Sequence, residues 1–367
     1  MHPAESLRER TRIRDSIAFD GGEVLGGGNT ETGGRARSVV VHDVVQGEVR
    51  VGASDASHHG IGGHGAVSLL RVGGRGYPSA VITSRAWGAQ SMTAPLRDVL
   101  VKAPDAAFGR AFDDPAHGFL HACDLEIARA EHAAFVDVLA SLGPTVHVLD
   151  EETDDPDLVY TFDPLLVTDG GAIPLRPGKP NRAGEPAVLE RWMNAAGIPT
   201  LGRIEAPGTI EGGDTLWLRP DLFCIGRTLR TNSSGVAQLA DLVGGDVRVF
   251  DVPYWKGPAE LIHLMSVISP VADDLAVVYL PLLPVGLWEL LRDLDYRLIE
   301  VPDEEFPMLG CNVLAVSPGV VILAEGNPAT AAALAAAGCE VHTYPAKEIG
   351  INGSGGPTCM TRPILRG

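Results

Sequence analysis

The sequence is poor in cysteine, short of basic residues over most of its length, and without any long apolar run. Its 367 residues carry five cysteines, at 123, 224, 311, 339 and 359, and no C-x-x-C pair. Such scatter excludes a dense disulfide framework, offers no zinc-ligand spacing, and suits a reducing cytoplasm. No stretch reaches the ~18 consecutive apolar residues of a membrane-spanning helix. The first residues, Met1-His2-Pro3-Ala4-Glu5, lack the basic region and apolar run of a secretory leader. The expectation is a cytoplasmic chain, and at 45% hydrophobic residues one with a sizeable core.

Basic residues are outnumbered, 29 Lys and Arg against 47 Asp and Glu, a net charge of −18. The deficit is uneven. Residues 1–91 hold ten basic and nine acidic residues, which leaves nineteen and thirty-eight for residues 92–367, a net of −19. A surface of this sign repels nucleic acid and anionic membrane, so neither is expected as a partner. It attracts a small cation, or simply keeps the chain soluble.

Glycine is abundant where regular structure is scarce. Seventeen of the first ninety-one residues are glycine, against an average of about 7%. Residues 1–86 therefore read as a flexible extension, or as residues upstream of a start nearer Met92. His58, His59 and His64 within it read as incidental rather than as a metal site.

From Trp87 to Gly367 the chain repeats one plan: two strands, a helix, a strand. Asn312–Val316 turns at Pro318-Gly319 into Val320–Leu323. Asn327-Pro328 opens a helix that Gly338 ends, and Cys339–Tyr344 closes the unit. Upstream units pair strands across Ile262–Tyr279, Glu211–Gly226 and Leu158–Leu175. Their helices are near Val285–Leu294, Gly235–Val243 and Pro186–Ala196. Their closing strands are Arg297–Val301, Val247–Phe250 and Thr200–Ile204. A fifth unit has Leu96–Val101, a helix over Leu125–Leu142 and the strand Val146–Leu149. It lacks one strand, which Cys359–Leu365 can supply. The expected architecture is an α/β ring of five ββαβ units, closed by the chain's last strand.

Near the start of each first strand stand Asp163, Glu211, His263, Asn312 and Cys359. Subtraction gives intervals of 48, 52, 49 and 47 residues. In a closed ring equivalent positions converge, so two carboxylates, an imidazole, an amide and a thiol are expected in one pocket. A thiol beside a histidine is a nucleophile with a general acid and base at hand. Two carboxylates suit a planar cation, because guanidinium presents N–H donors that fit them in a fork. The set needs no metal and no cofactor. Attack of the thiol on a guanidinium carbon gives a thiouronium-type intermediate, with His263 protonating the departing amine and then activating water.

The local sequences are Tyr160-Thr161-Phe162-Asp163-Pro164, Glu211-Gly212-Gly213-Asp214, Arg230-Thr231-Asn232, Leu261-Ile262-His263-Leu264, Gly310-Cys311-Asn312-Val313-Leu314 and Gly356-Pro357-Thr358-Cys359. Together and in this order they resemble the guanidino-group-modifying enzymes of pentein fold: dimethylarginine dimethylaminohydrolases, arginine deiminases and amidinotransferases. The resemblance runs from about Trp87 to the end and implies a five-fold pseudosymmetric α/β propeller. It implies Cys359 as nucleophile, His263 as general acid and base, and Asp163 and Glu211 as guanidinium ligands, Glu211 serving catalysis as well. It implies that Arg182 and Arg230 hold a substrate's α-carboxylate. Asp214 joins this set, either orienting its neighbours or capping its turn, as does Asn312, which holds backbone at the mouth. Trp87 and Gln90 are placed at the pocket mouth, and Lys347–Pro357 over the site.

Two departures stand out. Phe162 occupies the position where the family commonly has Arg or His, and Met265 stands where deiminases and amidinotransferases carry a third carboxylate. The second favours an N-substituted guanidine over free arginine. The leading reading is a guanidine hydrolase that turns dimethylarginine-type substrates into citrulline and an alkylamine. Its rivals are an arginine deiminase or dihydrolase, an amidinotransferase, and a non-catalytic binding module of the same fold. Monomer and homo-oligomer are equally open.

Overall fold

The computed structural model describes residues 86–257 and 262–367. The extension expected over residues 1–86, with its three histidines, lies outside the described residues except for Ala86.

In chain order the elements are β1 (Leu96–Val101), α1 (Ala106–Gly109), α2 (Leu125–Ser141) and β2 (Thr145–Val148). There follow β3 (Leu165–Thr168), β4 (Gly171–Pro174), α3 (Glu185–Ala195), β5 (Thr215–Arg219), β6 (Leu222–Arg227), α4 (Ser233–Val243) and β7 (Asp246–Asp251). The last are β8 (Ile268–Ala272), β9 (Leu275–Val278), α5 (Val285–Asp293), β10 (Arg297–Glu300), β11 (Leu314–Ser317), β12 (Val320–Ala324), α6 (Pro328–Ala336), β13 (Glu340–Tyr344) and β14 (Arg362–Arg366).

The strands form five small sheets with one recurring plan. An antiparallel hairpin is followed by a helix, and the next strand pairs parallel with the hairpin's second strand. This holds for β5-β6-β7, β8-β9-β10 and β11-β12-β13. The hairpins turn where the sequence has turn residues, as at Gly319, whose φ of +76° suits glycine. Each helix buries a stripe, Leu239 on α4, Leu287 and Leu291 on α5, and Leu334 on α6, all fully enclosed.

Two units depart from the plan. β14 pairs antiparallel with β1, and β2 pairs parallel with β1. The chain's last strand thus stands in for the first half of a hairpin, as its apolar pattern predicts. The strand expected at Thr200–Ile204 is reduced to a single parallel bridge between Thr200 and Ala172. Pro199 brings no N–H to the ladder and Gly202 no side chain to pack, so pairing does not propagate. The first strands lie side by side, β8 against β11 and β14 against β3. The segments leading into these strands carry the candidate site.

Candidate active site

Asp163 lies two residues before β3 and is 5% exposed. Its Oδ1 accepts the Gly213 N–H at 2.9 Å, and its Oδ2 accepts Arg182 Nη1 at 2.7 Å. Arg182 turns the rest of its fork onto Glu185 in the first turn of α3, with Nε to Oε1 at 2.6 Å and Nη2 to Oε2 at 2.7 Å. Nη2 also donates to the Asp157 and Tyr160 carbonyls. The resemblance implied that Arg182 grips a ligand's carboxylate. Here the protein's own carboxylates fill its fork, and the side chain is 3% exposed. In the unliganded chain it holds Asp163. Burial alone raises the Asp163 pKa, but His263 and Arg182 outweigh it and keep the carboxyl below its ordinary range.

Glu211, four residues before β5, is fully buried. Its Oε1 accepts the Gly178 N–H at 2.9 Å. Its Oε2 lies 2.8 Å from His263 Nε2 and 3.2 Å from Arg230 Nε. Arg230 Nη2 also meets His263 Nε2, at 2.5 Å. Burial works against the Glu211 charge, yet Arg230 and His263 hold its pKa well below the usual carboxylate value. His263 Nδ1 faces Asp163 Oδ1 at 4.0 Å. The imidazole fits only because residue 213 is glycine: a Cβ there would stand 2.2 Å from Nδ1.

Asp214, expected with the ligand-binding residues either to orient its neighbours or to cap its turn, lies behind Glu211 and His263 and orients its neighbours. It is fully buried, with Oδ2 accepting the Thr228 and Thr231 hydroxyls at 2.8 and 2.5 Å and Oδ1 accepting the Leu264 N–H at 2.9 Å. It therefore ties the turn carrying Arg230 to the residue after His263.

Cys359 sits in a turn three residues before β14, not at the strand's first residue as expected. The Asn312 Nδ2 donates to its sulfur at 3.2 Å, while Asn312 Oδ1 accepts the Thr358 N–H at 3.1 Å. Asn312 touches the thiol, a contact its position near a strand start did not reveal. The Cys359 carbonyl accepts the Phe162 N–H at 3.0 Å, which ties the thiol segment to the neighbour of Asp163. Burial, then the Asp163 charge, pushes the thiol pKa up to about 11, against the pull of the Gly356 N–H and Asn312. At neutral pH the unliganded site holds a thiol, not a thiolate.

Other residues take the following places. Gln90 accepts the Asp169 N–H at 2.8 Å in the β3–β4 turn, and Trp87 packs against the cluster around Leu100 and Leu165. Both brace the first units. The segment Lys347–Pro357 is anchored, with the N–H groups of Lys347, Glu348 and Ile349 on the buried Glu131 carboxylate of α2. His132 is buried, and its pKa falls to about 4 through loss of solvent and the nearby Lys102. Cys224, Cys311 and Cys339 are buried in apolar clusters, and the Cys311 sulfur points to the Val277 carbonyl. Sequence reading missed Glu185 and Arg362. Glu185 was discoverable, three residues after Arg182 at a helix start. Arg362 is 1% exposed with its guanidinium 4.0 Å from the centre of the Phe162 ring, so Phe162 carries a cation on its face.

Asp163, Glu211 and His263 bring donor atoms within 4.8 Å of one another, a spacing that could hold a metal ion. Both carboxylates, however, are already matched by guanidinium groups, Asp163 by Arg182 and Glu211 by Arg230.

The family model described as arginine deiminase matches residues 152–285 and 283–366, together more than half of the chain. The chain belongs to the arginine deiminase family. Among its relatives is an N(G),N(G)-dimethylarginine dimethylaminohydrolase of Pseudomonas aeruginosa, 29% identical over 248 residues, 65% of this chain and 89% of that protein. An arginine deiminase of Listeria welshimeri is 28% identical over 258 residues, 58% of this chain and 62% of its own. The solved structure of the Pseudomonas aeruginosa protein, a cysteine-to-serine mutant complexed with citrulline, matches with a TM-score of 0.63 at 24% identity. It covers 74% of this chain and 100% of that one.

Proposed function

We propose that this chain is a hydrolase that cleaves a C–N bond of a guanidino substrate through a covalent intermediate on Cys359. One observation carries the reading: a guanidinium, that of Arg230, already sits on Glu211 and against His263. The protein thereby displays the chemistry its pocket accepts. The substrate's guanidinium takes that seat between Glu211 and Asp163, which places its carbon before the sulfur. The arriving cation offsets the burial and the Asp163 charge that keep the thiol protonated, so the nucleophile ionises when substrate is present, its proton passing to His263.

The thiolate adds to the guanidinium carbon, forming the S–C bond. His263 gives a proton to the departing amine as the C–N bond breaks, leaving a thiouronium. It then takes a proton from water, whose oxygen adds to the same carbon. The S–C bond breaks as the proton on the added oxygen passes to the sulfur, releasing a ureido product and the thiol. Asn312 donates to sulfur throughout, and Arg182 keeps Asp163 charged and in place. Residues 87–367 form the catalytic domain in this reading, with the five sheets closed around a common axis and the domain working in the cytoplasm. No helix among the described residues is long and apolar enough to cross a membrane.

Dimethylarginine-type substrates fit best. Asp214 is turned away, and Met265 lies in the buried apolar cluster with Phe162 and Leu264, so the described cluster offers two carboxylates, not three. The Listeria relative supports a second reading, arginine deimination by the same steps. The test is incubation with arginine, dimethylarginine and guanidino acids, following ureido product, ammonia, methylamines and amidino transfer. Cys359→Ser is the control, and undiminished turnover in it overturns the covalent mechanism.

A further inference from the structure

Among the largest fully buried side chains is a charged one, Arg362 at the start of β14. Its Nε and Nη2 are buried with no hydrogen-bond partner. Arg182, by contrast, has its fork matched to Glu185 and Asp163 by three hydrogen bonds. Asp163 is the acid that acts on Arg362, through charge and not through a hydrogen bond. Burial pulls the Arg362 pKa down to about 9, with Asp163 opposing that fall and Arg366 of the same strand adding to it. A cation held in this way costs the fold stability, because an apolar side chain of its size would fill the space without being stripped of water.

What Arg362 does have is a place in the site. Its guanidinium lies 4.0 Å from the centre of the Phe162 ring. Phe162 precedes Asp163, and its N–H donates to the Cys359 carbonyl at 3.0 Å. Arg362 follows Cys359 by three residues and pairs with Leu100 of β1, whose carbonyl accepts the Thr161 hydroxyl at 3.4 Å. The segment 161–163 is thus joined to the last strand by backbone, by a hydroxyl and by the stacked ring. The charged groups facing Asp163 are Arg182, His263 and Arg230, which favour its ionisation, and Glu211, which opposes it. Those acting on the Cys359 thiol are Asp163 and Arg182.

We propose that Arg362 is a positioning residue of the site: seated on the Phe162 ring, it fixes Asp163 against the Cys359 turn and gives the pair a positive charge that no ligand has to supply. The proposal rests on the guanidino reading above only for the reaction it serves. Since no hydrogen bond from Nε or Nη2 ties the guanidinium to a local partner, its field reaches the groups around it. The Asp163 charge is one of the two effects that keep the thiol protonated, and a cation near Asp163 weakens that effect. The stability that Arg362 costs and the reactivity it lends are two consequences of one arrangement.

Arg362→Met separates the two, because methionine fills the space and lies on an aromatic ring without carrying charge. In the full-length chain its urea midpoint is expected to hold or rise. Iodoacetamide alkylation of Cys359 at pH 8, read by peptide mapping, is expected to slow at least about threefold. On the faster of arginine and dimethylarginine, kcat should fall at least about tenfold while KM changes less than about threefold. Arg362→Lys, which restores a charge, is expected to recover part of both rates. An unchanged alkylation rate overturns the proposal, as does a slowed one that Arg362→Lys fails to raise. A urea midpoint that falls together with both rates also overturns it, since that marks a residue that only supports the fold. If alkylation slows at undiminished stability while the wild-type chain turns over no guanidine, the role of Arg362 stands and the proposed hydrolysis falls. Undiminished kcat in Arg362→Met leaves the hydrolysis standing and removes Arg362 from it.

Discussion

Asn312 and Cys359 are joined by a single N–H···S contact of 3.2 Å, and the other end of the same amide is pinned to the Thr358 N–H. The amide is therefore pre-aimed at a sulfur that becomes negative during reaction. A hydrogen bond to a charged acceptor is worth about 1.5–3 kcal/mol. Asn312→Ala is expected to lower kcat/KM by roughly ten- to a hundredfold, with kcat falling more than KM rises. Steady-state kinetics on the best guanidine check this, and an unchanged kcat removes Asn312 from the chemistry.

The thiol itself should report its surroundings. Its pKa is pushed up to about 11, so thiolate is scarce at neutral pH and grows as pH rises. Iodoacetamide alkylation of Cys359 in the unliganded protein is expected to climb steadily between pH 8 and about 11. Asn312→Ala, which removes a group that favours the thiolate, should move the midpoint higher. Peptide mapping is needed to read Cys359 separately, because burial pushes Cys123 up to about 11 as well.

Gly213 offers a change that touches only the imidazole's position. A methyl there would lie 2.2 Å from His263 Nδ1 and 2.7 Å from the ring's Cγ, so the ring has to move. A displacement near 1 Å at a catalytic group costs about a hundredfold in rate. Gly213→Ala is expected to lose that much kcat while its near-ultraviolet circular dichroism stays native. Retained activity would mean that His263 acts from another position.

How much of this was readable in advance follows from what each feature depends on. The hairpins and helices of the later units were legible because their turns and caps are local. Pro328, Gly319 and Gly338 punctuate one unit in the expected places. The even spacing of Asp163, Glu211, His263, Asn312 and Cys359 was legible because the repeat itself is periodic. The different fates of Arg182 and Arg230 were not. Each lies nineteen residues after its carboxylate by subtraction, and nothing local separates them. Glu185 makes the difference, locking one arginine while the other is left against a histidine. The lost strand at Thr200–Ile204 did have local signals, Pro199 and Gly202, and only the plan of the repeat argued for a strand there.

The Arg182–Glu185–Asp163 cluster should separate stability from function. Arg182→Met leaves the buried Asp163 and Glu185 carboxyls without the cation they share, and breaking a buried pair in this way costs about 3–5 kcal/mol. The urea midpoint is expected to fall accordingly. Adding Glu185→Met removes the stranded carboxylate and should restore much of the stability. Guanidine turnover should not return with it, because Asp163 still lacks the partner that holds it charged and aimed. Recovery of both together would mean that Asp163 needs no support from Arg182.

The last strand depends on residues at the other end of the described chain. Gly88 donates to the Ile364 carbonyl and accepts from the Arg366 N–H, both at 2.8 Å, and the Gly367 N–H reaches the Pro95 carbonyl. The Arg366 guanidinium donates to the carbonyls of Ala94 and Ala315. Removing residues 1–85 keeps every one of these bonds and should leave folding and turnover intact. Removing residues 1–93 deletes both Gly88 contacts, each worth about 1 kcal/mol, and frees one edge of β14. Since Cys359 enters that strand three residues earlier, the rate should fall before the fold does. Matched urea denaturation and turnover on the two shortened chains read this directly. A loss of turnover in the first would show that the glycine-rich segment belongs to the working domain.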